Sequence, residues 1–135
     1  MTPQSCDVSV TIERPADEVY DFVVDPANLP RWAAGLSGSI DYVDGQWVAA
    51  SPMGSVVVEF VPRNDDGVLD HDVTLPSGEV VTNPMRVHAH GSHSELVFTV
   101  GARPGMSPDD LDRDVAAVRA DLVALKHLLE RADSV

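Results

Sequence analysis

The sequence predicts a single α+β domain in which a curved antiparallel sheet wraps around one long C-terminal helix. Three observations support this fold class. Residues 6–12 alternate between apolar and polar types, as in a strand with one buried face. Between residues 36 and 101, short alternating segments are separated by turn sequences rich in Gly, Pro, Asn and Asp. From Ser107 onward, leucine and valine recur at spacings of three and four, which is typical of an amphipathic helix.

Two short helices are expected directly after the first strand. Pro15 supplies a backbone angle suited to a first helical turn, and the acidic pair at 17–18 lies where the helix dipole favours negative charge. This helix should end before Pro26, which can itself start a second short helix over 27–34.

Six strands are predicted between residues 36 and 101, which makes seven with the first. The clearest hairpin has the two-residue turn Asp44-Gly45, which places Tyr42 opposite Trp47. The last helix begins with an N-cap serine at Ser107, followed by proline and then an acidic residue. A strongly bent sheet around one helix is not filled by that helix, so we expect a cavity between them.

Composition limits the function classes. The 135 residues form one domain spanning 1–135, and 22 acidic against 9 basic residues give a net charge of -13, which argues against nucleic acid or an anionic membrane surface as a partner. No phosphate-binding glycine loop is present, so no cofactor is expected. The single Cys6 and the absence of a signal-peptide pattern favour the cytoplasm.

The sequence resembles the START-like (SRPBCC) superfamily, and within it the bacterial polyketide cyclase/dehydrase-like branch. The resemblance spans nearly the whole chain and is carried by the segments IERPADEVYDF (12–22), NLPRW (28–32), NPMRV (83–87) and PGMS (104–107). It implies the helix-grip fold and an internal pocket for an apolar or amphipathic small molecule. It implies no catalytic residues, because the family has no shared catalytic motif that can be matched to positions in this chain.

Two polar residues are candidates for chemistry. His71 shares a strand face with Leu69 and Val73, so it is expected to project into the cavity, where it could act as an acid/base group. The alternative is a hydrogen-bonded core histidine. Pro84 cannot donate to a strand ladder, which suggests a bulge or an edge, so that Asn83 faces inward opposite Val100 as a polar anchor.

Aromatic and large apolar residues are candidate ligand contacts, although ordinary core packing would explain them as well. The proposed wall residues are Trp32, Tyr42, Trp47, Met85, Phe98 and Leu122.

Histidines near the last hairpin form a possible metal-ligand set. The expected register places His88 opposite Glu95 and His90 opposite His93, so three imidazoles and one carboxylate share a face. That face is opposite the one carrying Met85, so a solvated surface is the alternative, and no metal is expected.

Three functions remain open on the sequence alone. The first is binding of an apolar or aromatic small molecule, lipid- or polyketide-like, in the cavity. The second is a cyclase or dehydratase that uses His71 as acid/base group, with Asn83 orienting an oxygen. The third is a protein-interaction module, which needs no pocket and predicts an exposed apolar patch. A homodimer through an edge strand is also left open.

Overall fold

A computed structural model describes residues 5–33, 39–51, 54–101, 105 and 107–131. The described residues form eight strands, three α-helices and one 3-10 turn. In chain order these are β1 (Cys6–Ile12), α1 (Ala16–Val23), the 3-10 turn Pro26–Asn28, α2 (Leu29–Trp32), β2 (Ile40–Val43), β3 (Gln46–Ser51), β4 (Gly54–Phe60), β5 (His71–Thr74), β6 (Val80–Asn83), β7 (Met85–His90), β8 (His93–Val100) and α3 (Pro108–Arg131).

The described strands form two antiparallel sheets, one in the order β1-β8-β7 and one in the order β2-β3-β4-β5-β6. The α+β class with a long C-terminal helix is confirmed, but eight described strands replace the seven expected. The difference arises at Pro84, which lacks an N–H and separates β6 from β7 where a single strand with a bulge or an edge was predicted.

The two sheets remain connected through the segment that precedes β5. The Leu69 amide donates to the Met85 carbonyl (2.8 Å), and the Val87 amide donates to the Gly67 carbonyl (3.0 Å). Residues 67–74 therefore pair first with β7 and then with β6, on either side of the break at Pro84. The result is a bent sheet whose inner face packs against α3.

The predicted hairpin registers are confirmed where turn sequence fixes them. Tyr42 pairs with Trp47 across the Asp44-Gly45 turn, and Met85 pairs with Phe98. The expected pairing of Asn83 with Val100 is wrong. Asn83 pairs with His71 on β5 instead, because β6 belongs to the other sheet.

The short helices differ from the prediction in one respect. The first ends at Val23, before Pro26, as expected. The predicted second helix over 27–34 is shorter, because Pro30 is suited to a first helical turn and the chain before it forms the 3-10 turn. Its predicted end at Ala34 lies outside the described residues.

The start of α3 is the capping box that the sequence predicts. The Asp110 amide donates to the Ser107 hydroxyl (3.1 Å), and the Ser107 amide donates to an Asp110 carboxylate oxygen (3.2 Å). Further along, Leu122 and Leu125 are fully buried against the sheet. In the described part of the chain, no helix is both long and apolar enough to cross a bilayer.

Candidate functional site

A cleft of about 550 Å³ lies between α3 and the inner face of the sheet, at the place where β6 and β8 separate. The Thr99 amide still donates to the Pro84 carbonyl (2.9 Å), but β6 pairs with β5 and turns away from β8. Most of the lining side chains are apolar: Val73, Leu75, Val80, Val81, Phe98, Val100, Ala117 and Val118, joined by Gly101 and by the polar or charged residues Glu79, Thr82, Asn83 and Asp114.

Asn83 is a half-buried, uncharged polar residue in the cleft wall. It ends β6 immediately before the break at Pro84. No described residue forms a hydrogen bond with its carboxamide. The amide therefore keeps both a donor and an acceptor available to a molecule in the cleft.

His71 is a buried, neutral imidazole with a defined tautomer. It is 6% exposed, and its Nδ1 lies 3.1 Å from the Leu69 carbonyl oxygen. Because a carbonyl only accepts, Nδ1 carries the proton and Nε2 keeps its lone pair. Burial lowers the pKa of His71, and the hydrogen bond to Leu69 and the charges of Asp70 and Asp72 oppose this only in part.

Two aromatic rings contact the His71 imidazole. The imidazole lies between Phe60 and Phe98, with ring centroids 4.7 and 5.8 Å away. It does not line the cleft, although its strand partner Asn83 and its neighbour Phe98 both do. His71 also borders a smaller pocket of about 470 Å³ shared with Glu59. Its Nε2 has no hydrogen-bond partner among the described residues.

Three of the candidate ligand contacts belong to the core. Trp32, Met85 and Leu122 are 5%, 0% and 1% exposed, and none of them lines the cleft. Phe98 is the member of the predicted apolar set that does line it.

Tyr42 and Trp47 contact each other edge to face, with ring centroids 5.1 Å apart, and Tyr42 is 63% exposed. They line a separate, larger cleft of about 680 Å³. An apolar ligand would be poorly matched there, because many groups in its wall are charged. These charged residues are Asp21, Asp25, Glu59, Arg63 and Asp72.

The histidine cluster has the predicted register. His88 pairs with Glu95 and His90 pairs with His93, and the last two rings stack with centroids 5.6 Å apart. His88 and His90 are exposed. Among the described residues, no group of three or more His, Cys, Asp or Glu side chains is placed to hold a metal ion.

The sequence predicts that the apolar stripe of the last helix lines the cavity, but it does not identify the particular α3 residues that do so. Asp114, Ala117 and Val118 form the α3 wall. Val118 belongs to the apolar stripe seen in the sequence, but nothing in the sequence distinguishes Ala117 from its neighbour Ala116. The rotation of α3 against the sheet decides which alanine faces the cleft.

Similar folds occur in solved structures at low sequence identity. A START superfamily protein from Mycobacterium smegmatis gives a TM-score of 0.74 at 14% identity, covering 96% of this chain and 99% of that one. The Zhui aromatase/cyclase from a Streptomyces species gives 0.72 at 15% identity, covering 95% and 94%. The di-domain ARO/CYC BexL gives 0.73 at 20% identity, covering 95% of this chain and 47% of that one. These likenesses concern the fold.

No curated protein matches the sequence. A family model does match, over residues 3–130, and its description is polyketide cyclase/dehydrase and lipid transport. The match covers nearly all of the chain, and the helix-grip architecture and the cleft between sheet and helix agree with it. The chain belongs to the polyketide cyclase/dehydrase and lipid transport family.

Proposed function

We propose that the protein binds an apolar or aromatic small molecule in the cleft between β5, β6, β8 and α3. The observation that carries this proposal is a cleft of about 550 Å³ with eight apolar lining residues and one carboxamide free of hydrogen bonds to described residues. A ligand that buries roughly 200 Å² of apolar surface there would gain about 5 kcal/mol before ordering costs are subtracted. The family description, which includes lipid transport, supports the same ligand class.

Asn83 is proposed as the polar anchor of the ligand. Its carboxamide can donate a hydrogen bond to a ligand carbonyl or accept one from a ligand hydroxyl. A ligand without a polar group at this position would leave the carboxamide without a partner. His71 is proposed as a second anchor, reached when the Phe98 ring moves aside. Its Nε2 lone pair would then accept a hydrogen bond from a ligand hydroxyl.

A cyclase or dehydratase reaction is the second candidate function. The neutral imidazole of His71, with a lone pair on Nε2, favours it because such a group can remove a proton near neutral pH. The reaction also needs a proton donor beside His71. Asp70 accepts from the Met85 amide (2.8 Å), and Asp72 accepts from the Thr82 hydroxyl (2.7 Å), so these neighbouring carboxylates are engaged elsewhere. For this reason binding is the first proposal.

The binding proposal can be tested by fluorescence titration with N-phenyl-1-naphthylamine, a neutral apolar probe that brightens in apolar surroundings. Ala117→Phe places a ring in the cleft wall, whereas Ala116→Phe adds the same ring at an exposed α3 position outside the lining. We expect the first variant to weaken binding about tenfold, which corresponds to about 1.4 kcal/mol, and the control to bind as the wild type does. Equal binding by all three proteins would contradict a site in this cleft.

Native mass spectrometry of the protein purified from its own source separates the two functions, with His71→Gln analysed in parallel. The same compound released unchanged from both forms supports binding. A modified compound from the wild type and its precursor from the variant would support the enzyme.

A further inference from the structure

Among the described residues of the cleft wall, the two charged side chains are both carboxylates. Glu79 is exposed on the turn between β5 and β6, where the Leu75 amide donates to the Glu79 carbonyl (2.8 Å). Asp114 is half-buried on the facing helix α3. The described lining contains no lysine or arginine, and neither carboxylate forms an ion pair with a described residue.

We propose that the cleft selects ligands with a protonated amine next to an apolar body, and that Glu79 and Asp114 determine this specificity. The inference rests on the proposed function and names its ligand class. The apolar body would contact Val81, Phe98 and Val118, while the ammonium group lies in the part of the cleft that Glu79 and Asp114 line.

The physical basis is the sign and position of these charges. Two carboxylates lining the same cleft attract a bound cation and repel a bound anion, so their effects on the cation-to-anion preference add. The net charge of -13 gives a long-range field of the same sign. Because Glu79 is exposed and Asp114 is half-buried, each carboxylate contributes only modestly to the preference for a cation, and salt weakens that contribution. A ligand with a carboxylate end, such as a fatty acid, is therefore disfavoured.

The test uses three probes that share one ring system: the cation 2-(1-naphthyl)ethylamine, the neutral 2-(1-naphthyl)ethanol and the carboxylate anion 1-naphthaleneacetate. Isothermal titration calorimetry at pH 7 and low salt should give dissociation constants in the order amine, alcohol, acetate, with the amine about tenfold or more tighter than the acetate. In about 1 M salt the gap should shrink to a few-fold. Amine and acetate binding equally at low salt would overturn the inference.

Matched variants locate the effect. Glu79→Gln combined with Asp114→Asn should bring the amine and acetate affinities together while leaving the alcohol unchanged. Asp112→Asn removes a charge from an exposed α3 position outside the cleft and should keep the full preference. An equal loss of preference in this control would assign the selectivity to net charge and overturn the role of the two residues. If the neutral alcohol does not bind either, the proposed function itself fails, and the inference fails with it.

Discussion

Gly67 lies where the bent sheet is joined, and replacing it tests how that join is built. Its φ is +72°, and a Cβ at this position would lie 2.4 Å from the Val87 carbonyl oxygen. The Val87 amide also donates to the Gly67 carbonyl. Gly67→Ala must therefore strain the backbone and push β7 away from the segment before β5.

The expected cost has two parts. A left-handed backbone angle costs an alanine about 1–2 kcal/mol relative to glycine. Displacing β7 weakens the hydrogen bonds from Val87 to Gly67 and from Leu69 to Met85, at about 1 kcal/mol each. The total is about 3–4 kcal/mol of unfolding free energy. Gly91→Ala is the matched control, because Gly91 has a φ of +71° and, apart from its chain neighbours, no described residue lies within 4 Å of its Cβ position. This variant should lose only the backbone-strain part, about 1–2 kcal/mol.

Urea unfolding followed by circular dichroism measures this difference. With a slope of about 2 kcal/mol per M, the two variants should differ in midpoint by about 1 M, and Gly67→Ala should be the less stable. Equal midpoints would show that the close approach to Val87 contributes nothing to stability.

Three further predictions concern stability. Burial lowers the folded-state pKa of His71, so the unfolded chain binds that proton first as the pH falls through about 6.5. Stability should therefore decrease from about pH 7 downward until the folded pKa is passed, and His71→Gln should lose this component; an unchanged pH profile in the variant would contradict it. Ser107→Ala should cost about 1 kcal/mol in thermal or urea unfolding, because the Asp110 amide loses its acceptor, and a neutral result would mean that water replaces the cap. Leu122→Ala should cost about 2–5 kcal/mol, and a loss below about 1 kcal/mol would contradict its placement in the core.

The sequence is informative wherever local chemistry decides the structure. The capping box at Ser107 and the turn Asp44-Gly45 act over a few residues, and both occur as predicted. Pro84 predicted a bulge or an edge within one strand, whereas the separation into two strands depends on long-range pairing. The strand that ends at Asn83 stays with β5 while the next one joins β8, and this divergence opens the cleft.

The site is harder to read from the sequence, because burial and exposure depend on packing between distant elements. Alternation predicts that His71 lies on the inner face, but no local pattern indicates that the rings of Phe60 and Phe98 contact it. Trp32 was a reasonable ligand contact by residue type, yet it is core. Ala117 lines the cleft only because of how α3 is rotated.

The most direct test of the central claim is to map a bound neutral ligand onto the chain. In ¹⁵N NMR spectra recorded during titration with 2-(1-naphthyl)ethanol, we expect saturable amide shifts at Asn83, Phe98 and Val118, with little change at Tyr42 and Trp47. Shifts concentrated at Tyr42 and Trp47, or no saturable shifts anywhere, would contradict ligand binding in the cleft between the sheet and α3.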